Sequence, residues 1–193
     1  MGRRPTTSHA SIEEAAFRLF KQRGFEATTV QAIADQCGIG RRTLFRYFES
    51  KSDIPWGQFD NSLVHLRDVL EAMSHDLPIH QAVHSAVLDF NQLAEAAIPQ
   101  HRQRMALILS TPALQAHFAL RYANWREVIA EYVAKRLGVS PDAMLPRMVG
   151  QVSLALALSA YEHWLGHEDA SLQELLDEAM SDLRSYLSPP PVQ

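Results

Sequence analysis

Residues 24–51 read GFEATTVQAIADQCGIGRRTLFRYFESK, and their pattern decides the fold of the N-terminal part of the chain. Two short stretches with helical spacing are joined by a turn that contains Gly38 and Gly40. In the second stretch, Arg41, Arg42 and Arg46 are interleaved with aromatic residues. Two short helices joined by a tight turn predict a helix-turn-helix, whose second helix enters the major groove of DNA.

The apolar residues of this stretch indicate which side faces inward. They can pack against a preceding helix, and they are Ile33, Ala34, Ile39, Leu44 and Phe48. The outward side then carries Arg41, Arg42, Phe45 and Arg46. Arginine pairs bidentately with guanine or binds phosphate. The polar residues that we expect at the phosphates are Thr29, Thr43, Tyr47 and Lys51. The alternative is a solvated basic face on a helical hairpin, but the turn glycine and the inward apolar set favour DNA.

The distribution of charge agrees with a DNA-binding N-terminus. Residues 1–51 contain nine Lys and Arg against five Asp and Glu, a charge of +4. Residues 52–193 contain nine against seventeen, a charge of −8, which gives the net charge of −4 for the whole chain. Binding to a polyanion is therefore expected of the N-terminal part, although chance clustering could produce the same asymmetry.

Helical spacing dominates the whole 193-residue chain, and we predict an all-α fold of about nine helices. The predicted helices cover about residues 9–23, 28–37, 41–48, 53–73, a segment between 78 and 99, 101–109, 111–137, 142 or 146 to 165, and 171–187. Residues 1–51 form a helix-turn-helix domain, residues 52–187 an effector-binding and dimerisation domain, and residues 188–193 a disordered tail. Either Ser11 or Ser8 can cap the first helix.

The composition indicates the cellular compartment of the protein and bears on whether it has a metal site or a cofactor. The one cysteine, Cys37, excludes an internal disulfide and fits a reducing cytoplasm. No signal peptide is expected, and the longest apolar run, residues 152–158, is far too short to span a bilayer. We expect no cofactor and no metal. The His pairs 80/84 and 163/167 have the i,i+4 spacing of two metal ligands on one helix face, but they lack the Glu of a zincin motif. Helical His pairs of this kind are usually not metal sites.

The C-terminal helices suggest an oligomer. The stretch around Val149–Trp164 is apolar nearly all round, so it must be buried on more than one side. We expect the two last helices of each subunit to form a homodimer interface, the alternative being an intramolecular core.

Two other classes of protein are alternatives to a DNA-binding regulator, namely an enzyme and a helical adaptor with a basic N-terminal part. No nucleophile or nucleotide motif supports an enzyme.

A family resemblance rests on the same residues. Thr28-Thr29-Val30 followed by IADQCGIGRRTLFRYFESKSDI resembles the N-terminal domain of TetR-family repressors over most of residues 9–54. The resemblance implies a homodimer with recognition helices in successive major grooves of a palindromic operator. It places Gln31, Arg41, Arg42 and Phe45 at bases, and Thr29, Thr43, Tyr47 and Lys51 at phosphates. Three residues depart from the family pattern. Gly40 stands where a Ser usually caps the recognition helix, Arg42 where a small residue is common, and Phe45 where Tyr is common.

Two further segments resemble a narrower group. With GRRP at residues 2–5 and IGRRT at 39–43, SDIPWGQFD at 52–60 and STPALQAHFALRYANWR at 110–126 resemble TetR-type regulators that accompany mycofactocin biosynthesis genes. The resemblance implies release from the operator by a long-chain acyl-coenzyme A (acyl-CoA), with Arg104 and Arg121 near its phosphates. The candidate effector-binding residues are Phe90, Arg104, Leu107, His117, Phe118, Arg121 and Trp125.

Overall fold

The computed structural model describes residues 7–188, and it is helical throughout that range with no strand. The helices are α1 His9–Arg23, α2 Val30–Gln36, α3 Arg41–Leu44, α4 Phe59–Ala72, α5 Ile79–Phe90, α6 Ile98–Ser110, α7 Pro112–Leu137, α8 Met144–Gly166 and α9 Leu172–Leu187. Two short 3₁₀ helices cover Lys51–Trp56 and Glu95–Ala97. The predicted all-α fold of about nine helices is confirmed. Of the predicted tail at residues 188–193, Ser188 forms a bend after α9 and residues 189–193 lie outside the described residues.

The described chain divides into two compact units. The first contains residues 7–59 together with 103–118, and the second contains residues 60–102 together with 119–188. Residues 52–59 and 103–118, which we predict to be part of the effector-binding and dimerisation domain, thus lie in the same unit as the helix-turn-helix. No helix within residues 7–188 has the combination of length and hydropathy that a bilayer crossing needs.

The first helix begins where one of the two candidate caps predicts. The Ser8 hydroxyl accepts from the Ser11 amide at 3.2 Å, and the Ser11 hydroxyl accepts from the Ser8 amide at 2.9 Å. Two N–H groups at the helix start are thereby satisfied. The helix ends at Gly24, whose φ of +80° suits a residue without a Cβ. The apolar residues on one face of the helix are all buried, namely Ile12, Ala15, Ala16, Leu19 and Phe20.

Two helices are shorter than their apolar spacing predicts. The spacing predicts that the fourth helix begins at residue 53, but a 3₁₀ helix occupies Lys51–Trp56. Gly57, whose φ is +56°, separates this 3₁₀ helix from α4. The fifth was expected to approach Pro99, but it ends at Phe90. There the Asn91 side chain donates to the Val87 carbonyl at 2.7 Å, and such a bond from a side chain to the backbone competes with further helix.

In the second unit, α8 packs against α5 and α9, and α5 packs against α9. The buried residues of α8 lie on one side and include Gly150, Leu154, Ala157 and Trp164. At Gly150 the helix passes so close to α7 that an added Cβ would lie 2.7 Å from the Arg126 carbonyl oxygen. This contact explains why a glycine stands in the interior of a helix.

We expect Gly150→Ala to destabilise the protein by about 1–3 kcal/mol, because α7 or α8 must shift to admit the methyl group. Gly166→Ala is the control, since it lies on the same helix and an added Cβ meets nothing within 4 Å. Urea denaturation followed by circular dichroism measures both. Equal stability of the two variants would show that the helices at Gly150 are not in close contact.

Candidate nucleic-acid interface

The structure forms the predicted helix-turn-helix within the first unit. Ile33, Ala34 and Leu44 are fully buried, and Phe48 is 4% exposed. The turn is closed by Gly38, whose φ is +64°, and by the Ile39 amide, which donates to the Ala34 carbonyl at 3.0 Å. This is the geometry of a helix end with glycine in the left-handed region. Four of the five predicted inward residues are thus buried and position α3, while Ile39 in the turn is only half-buried.

The recognition helix is shorter than predicted. Regular α-helix covers only Arg41–Leu44, where residues 41–48 were expected. Beyond it the amides of Arg46 and Tyr47 bond three residues back, to Thr43 at 3.2 Å and to Leu44 at 2.9 Å. Gly40 caps the helix without a side-chain hydrogen bond, so the first turn lacks the bond that a Ser cap would make. The tightened turn still carries the outward residues on one side.

The outward side carries uncompensated positive charge. Arg41, Arg42 and Arg46 are exposed, and none of them makes an ion pair within residues 7–188. Phe45 is 42% exposed, and the Arg41 guanidinium lies 5.9 Å from its ring centre. Exposed arginines without carboxylate partners keep their full affinity for phosphate or guanine.

Three further candidate residues lie on or at the start of α2 and α3, namely Thr29, Gln31 and Thr43. Thr29 caps α2, since its hydroxyl oxygen accepts from the Ala32 amide at 3.1 Å. The exposed Gln31 side chain donates to Asp35 Oδ1 at 2.7 Å. Thr43 lies half-buried on α3. A capping hydroxyl still has its own proton to donate, so these positions are compatible with the predicted contacts, which stay predictions.

The other two candidates have internal partners. The Tyr47 hydroxyl donates to the Thr7 carbonyl at 3.0 Å. The Lys51 ammonium donates to the carbonyls of Phe25 at 2.8 Å and Thr28 at 3.0 Å, and it lies 4.2 Å from the Phe25 ring centre. Lys51 therefore ties the segment before α2 to the end of the motif. A contact with DNA phosphate stays a prediction for both residues.

The first unit also contains a buried ion pair that we do not predict from the sequence. Glu13 on α1 is 8% exposed, and Arg104 Nη2 lies 2.5 Å from its Oε2. Arg104 also donates to the Pro55 carbonyl at 2.9 Å, and its guanidinium lies 5.3 Å from the Phe17 ring centre. The only signal in the sequence is that Glu13 directly follows Ile12 on the apolar face of α1.

The effector candidates divide between the two units. Arg104, Leu107, His117 and Phe118 belong to the first, and Phe90, Arg121 and Trp125 belong to the second. In the first unit, His117 lies 3.6 Å from Asp53, and the Phe118 and Trp56 rings are 6.2 Å apart; Leu107 is half-buried. In the second unit, the Phe90 and Trp125 rings are 6.1 Å apart. Arg121 donates to both carboxylate oxygens of Asp60, at 2.7 and 2.8 Å.

A buried polar network lies in the second unit. The Tyr161 hydroxyl donates to Asn91 Oδ1 at 2.8 Å, and His101 Nε2 lies 2.8 Å from the same hydroxyl. Since the hydroxyl proton is used by Asn91, His101 must donate from Nε2. Burial raises the pKa of Tyr161 well above its ordinary value. The network joins α5, α6 and α8 through groups that satisfy one another.

The described residues offer little for metal or covalent chemistry. No group of three potential metal ligands occurs within residues 7–188. His163 and His167 stack with ring centres 4.1 Å apart, as their spacing allows. Burial raises the pKa of the Cys37 thiol, which opposes formation of the nucleophilic thiolate.

Comparison with known proteins agrees with this geometry. Residues 12–54 match the family described as bacterial regulatory proteins, tetR family, and residues 77–188 match the MftR C-terminal domain family. A Mycobacterium tuberculosis protein assigned as the mycofactocin biosynthesis transcriptional regulator MftR is 44% identical over 179 residues, which are 93% of this chain and 90% of the relative. The predicted resemblance is therefore confirmed.

Two solved structures share the fold at low identity. Thermus thermophilus FadR, a TetR-family repressor in complex with lauroyl-CoA, is 19% identical with a TM-score of 0.60, over 96% of this chain and 99% of that one. Bacillus subtilis FadR, in complex with stearoyl-CoA, is 13% identical with a TM-score of 0.64, over 94% and 100%. The two family matches, the MftR relative and the helix-turn-helix together show that the chain belongs to the TetR family of DNA-binding transcriptional regulators.

Proposed function

We propose that the protein is a homodimeric repressor that binds a palindromic operator and is released from it by a long-chain acyl-CoA. The observation that carries the DNA-binding part is the group of exposed arginines on and after α3, which make no ion pair within residues 7–188 and are held by the buried Leu44 and Phe48. A two-fold operator requires the two recognition helices to be about 34–36 Å apart, or a multiple of that distance. The regulated genes would be those of mycofactocin biosynthesis, as the name of the MftR relative suggests.

The homodimer is supported by apolar side chains on α8 and α9 that residues 7–188 leave uncovered. Met144 is 83% exposed and Met148 47% exposed on α8, and Tyr186 is 83% exposed on α9. Leu145 and Leu187 are exposed beside them. Several large apolar residues on adjacent helices mark an interaction surface, and closed two-fold symmetry is the commonest way to bury one.

Arg42→Ala tests base reading. We expect the loss of about 1–3 kcal/mol of binding free energy on the operator, and much less on random DNA, if Arg42 contacts a base. Arg23→Ala, which removes an exposed charge from the last turn of α1, is the matched control. Fluorescence anisotropy with both DNAs measures the difference. Equal losses on operator and random DNA would make Arg42 a phosphate contact.

The effector part of the proposal rests on the two acyl-CoA-bound structures and on the arginines of this chain. Arg121 is paired with Asp60, whose side chain is 71% exposed, so a phosphate could replace that carboxylate and leave it in water. Arg104 is paired with Glu13, whose side chain is only 10% exposed, and replacing Glu13 would leave a buried carboxylate unpaired. We therefore assign the phosphates of the effector to Arg121 before Arg104.

Release from DNA tests the effector directly. Oleoyl-CoA titrated into the protein–operator complex should dissociate the DNA saturably, and coenzyme A or oleate alone should not at the same concentration. The operator for this assay is selected from random sequence by the full-length protein. Persistence of the complex at saturating oleoyl-CoA would refute the effector assignment and leave the DNA-binding function intact.

A further inference from the structure

Trp125 carries a buried hydrogen-bond donor without an acceptor. It lies on α7 in the second unit with a residue exposure of 1%. Its indole Nε1 has no hydrogen-bond partner within the described residues. A buried N–H without an acceptor is costly, and such groups in native proteins are usually satisfied by protein, water or a ligand. The position therefore requires an explanation that packing alone does not give.

No acceptor for this N–H is found among residues 7–188, and the buried polar groups that form a network in the second unit bond to one another. The Phe90 ring contacts the Trp125 ring edge to face. The next residue, Asn91, accepts from Tyr161 and donates to Val87, which uses its carbonyl and one N–H. Tyr161 in turn is paired with His101. Within residues 7–188 the second unit thus contains one unused indole donor in addition to a network whose members already have partners.

The environment also limits the charge of any group that could accept this hydrogen bond. Tyr122, one turn before Trp125 on α7, has its pKa raised by burial, and burial likewise raises the pKa of Tyr161. The same loss of solvation that opposes a phenolate opposes a phosphate or a carboxylate. A neutral acceptor is therefore preferred. An amide would bring an N–H that needs an acceptor of its own, whereas an ester or thioester carbonyl only accepts.

We propose that the indole N–H of Trp125 donates a hydrogen bond to the thioester carbonyl of the bound effector. The proposal rests on the proposed function, since it names the group of the acyl-CoA that this residue recognises. It makes Trp125 the positioning residue that fixes where the acyl chain ends and the polar part of the ligand begins. A neutral carbonyl placed there would satisfy the donor without burying a charge.

The test pairs a change in the protein with a change in the ligand. Oleoyl-CoA is compared with its S-oleyl thioether, in which a methylene replaces the carbonyl, by calorimetry on the full-length protein and on Trp125→Phe. The wild-type protein should bind the thioester roughly two- to tenfold more tightly than the thioether, because it forms one additional buried hydrogen bond. Trp125→Phe keeps a ring at this position and should bind both ligands equally, with the affinity of the thioether unchanged.

The outcomes separate the two proposals. If neither ligand binds the wild-type protein, the effector assignment fails. If both bind and the preference for the thioester persists in Trp125→Phe, the acyl-CoA assignment stands and the role of Trp125 is refuted. Equal weakening of both ligands also refutes it, because the carbonyl is then not the partner.

A second measurement covers the case in which Trp125→Phe does not fold. The chain has three tryptophans, so ¹⁵N-tryptophan labelling gives three indole N–H signals. Trp56→Phe and Trp164→Phe assign the other two. The remaining signal should move downfield with oleoyl-CoA and stay in place with the thioether. Identical shifts with the two ligands would overturn the proposal.

Discussion

Glu13→Ala should lower the free energy of unfolding by about 3–5 kcal/mol, because it leaves the Arg104 guanidinium partly buried without its carboxylate. The side chains of Glu13 and Arg104 are 10% and 19% exposed, so water cannot fully replace the lost partner. The pair links α1 to α6 within the first unit, across 91 residues of sequence. We expect this substitution to be among the most destabilising single changes in the helix-turn-helix unit.

The surroundings of the pair explain the size of the effect. The Pro55 carbonyl accepts from Arg104 Nη1, and the Phe17 ring lies beside the guanidinium. Gly57 leaves room for both charged groups, since an added Cβ would lie 2.7 Å from Nη1 and 3.1 Å from the Glu13 oxygens. These contacts hold the guanidinium in place when the carboxylate is removed, so it cannot move to solvent at little cost.

Glu14→Ala is the matched control for this prediction. Glu14 is the next residue of α1, with a side chain 67% exposed and 3.7 Å from Arg18. An exposed i,i+4 pair contributes only about 0.3–0.5 kcal/mol. Urea denaturation of the wild-type protein and both variants gives the comparison. A loss for Glu13→Ala no greater than that for Glu14→Ala would show that the ion pair does not stabilise the unit.

The double variant Glu13→Leu/Arg104→Met separates the cost of an unpaired charge from the value of the pair. Apolar residues of similar volume often replace a buried ion pair without loss of stability. We therefore expect the double variant to be more stable than Glu13→Ala. A double variant as unstable as the single one would mean that the hydrogen bond to Pro55 and the packing of the stems dominate.

The sequence predicted the elements that depend on local spacing. The apolar face of α1 repeats every three to four residues, and the glycines at 24 and 38 mark ends that the backbone takes up with positive φ. The inward residues of the helix-turn-helix are predictable for the same reason. The length of α3 was not, because four residues of helix followed by a tightened turn have the same apolar spacing as a longer helix.

Pairings between distant residues could not be predicted from spacing. Nothing near Lys51 in the sequence indicates that its ammonium binds the carbonyls of Phe25 and Thr28. The partners of Arg104 and Arg121 are likewise set by the packing of helices far apart in sequence. These partners change how an effector phosphate could be bound, and they were absent from the prediction, although the arginines themselves were identified.

Removing all three outward arginines should abolish operator binding at moderate salt. For Arg41→Ala/Arg42→Ala/Arg46→Ala we expect a loss of about 3–5 kcal/mol, or roughly 10²–10⁴ in affinity, since each contact to a base or a phosphate contributes to binding. All three side chains are exposed and outside the core, so the free energy of unfolding should change by only about 0.5 kcal/mol. The variant therefore separates DNA binding from folding.

The control removes the same number of charges elsewhere in the unit. Arg18, Lys21 and Arg23 are exposed on α1, and their replacement by alanine lowers the net charge equally. Anisotropy titrations at several salt concentrations measure both affinity and its salt dependence. The slope of log affinity against log salt should fall by roughly 0.9 for each arginine of the α3 set that binds a phosphate. If an arginine contacts a base, its replacement should weaken binding to the operator more than it weakens binding to random DNA. If the α1 variant loses as much affinity as the α3 variant, then overall charge binds DNA and the helix-turn-helix does not position it.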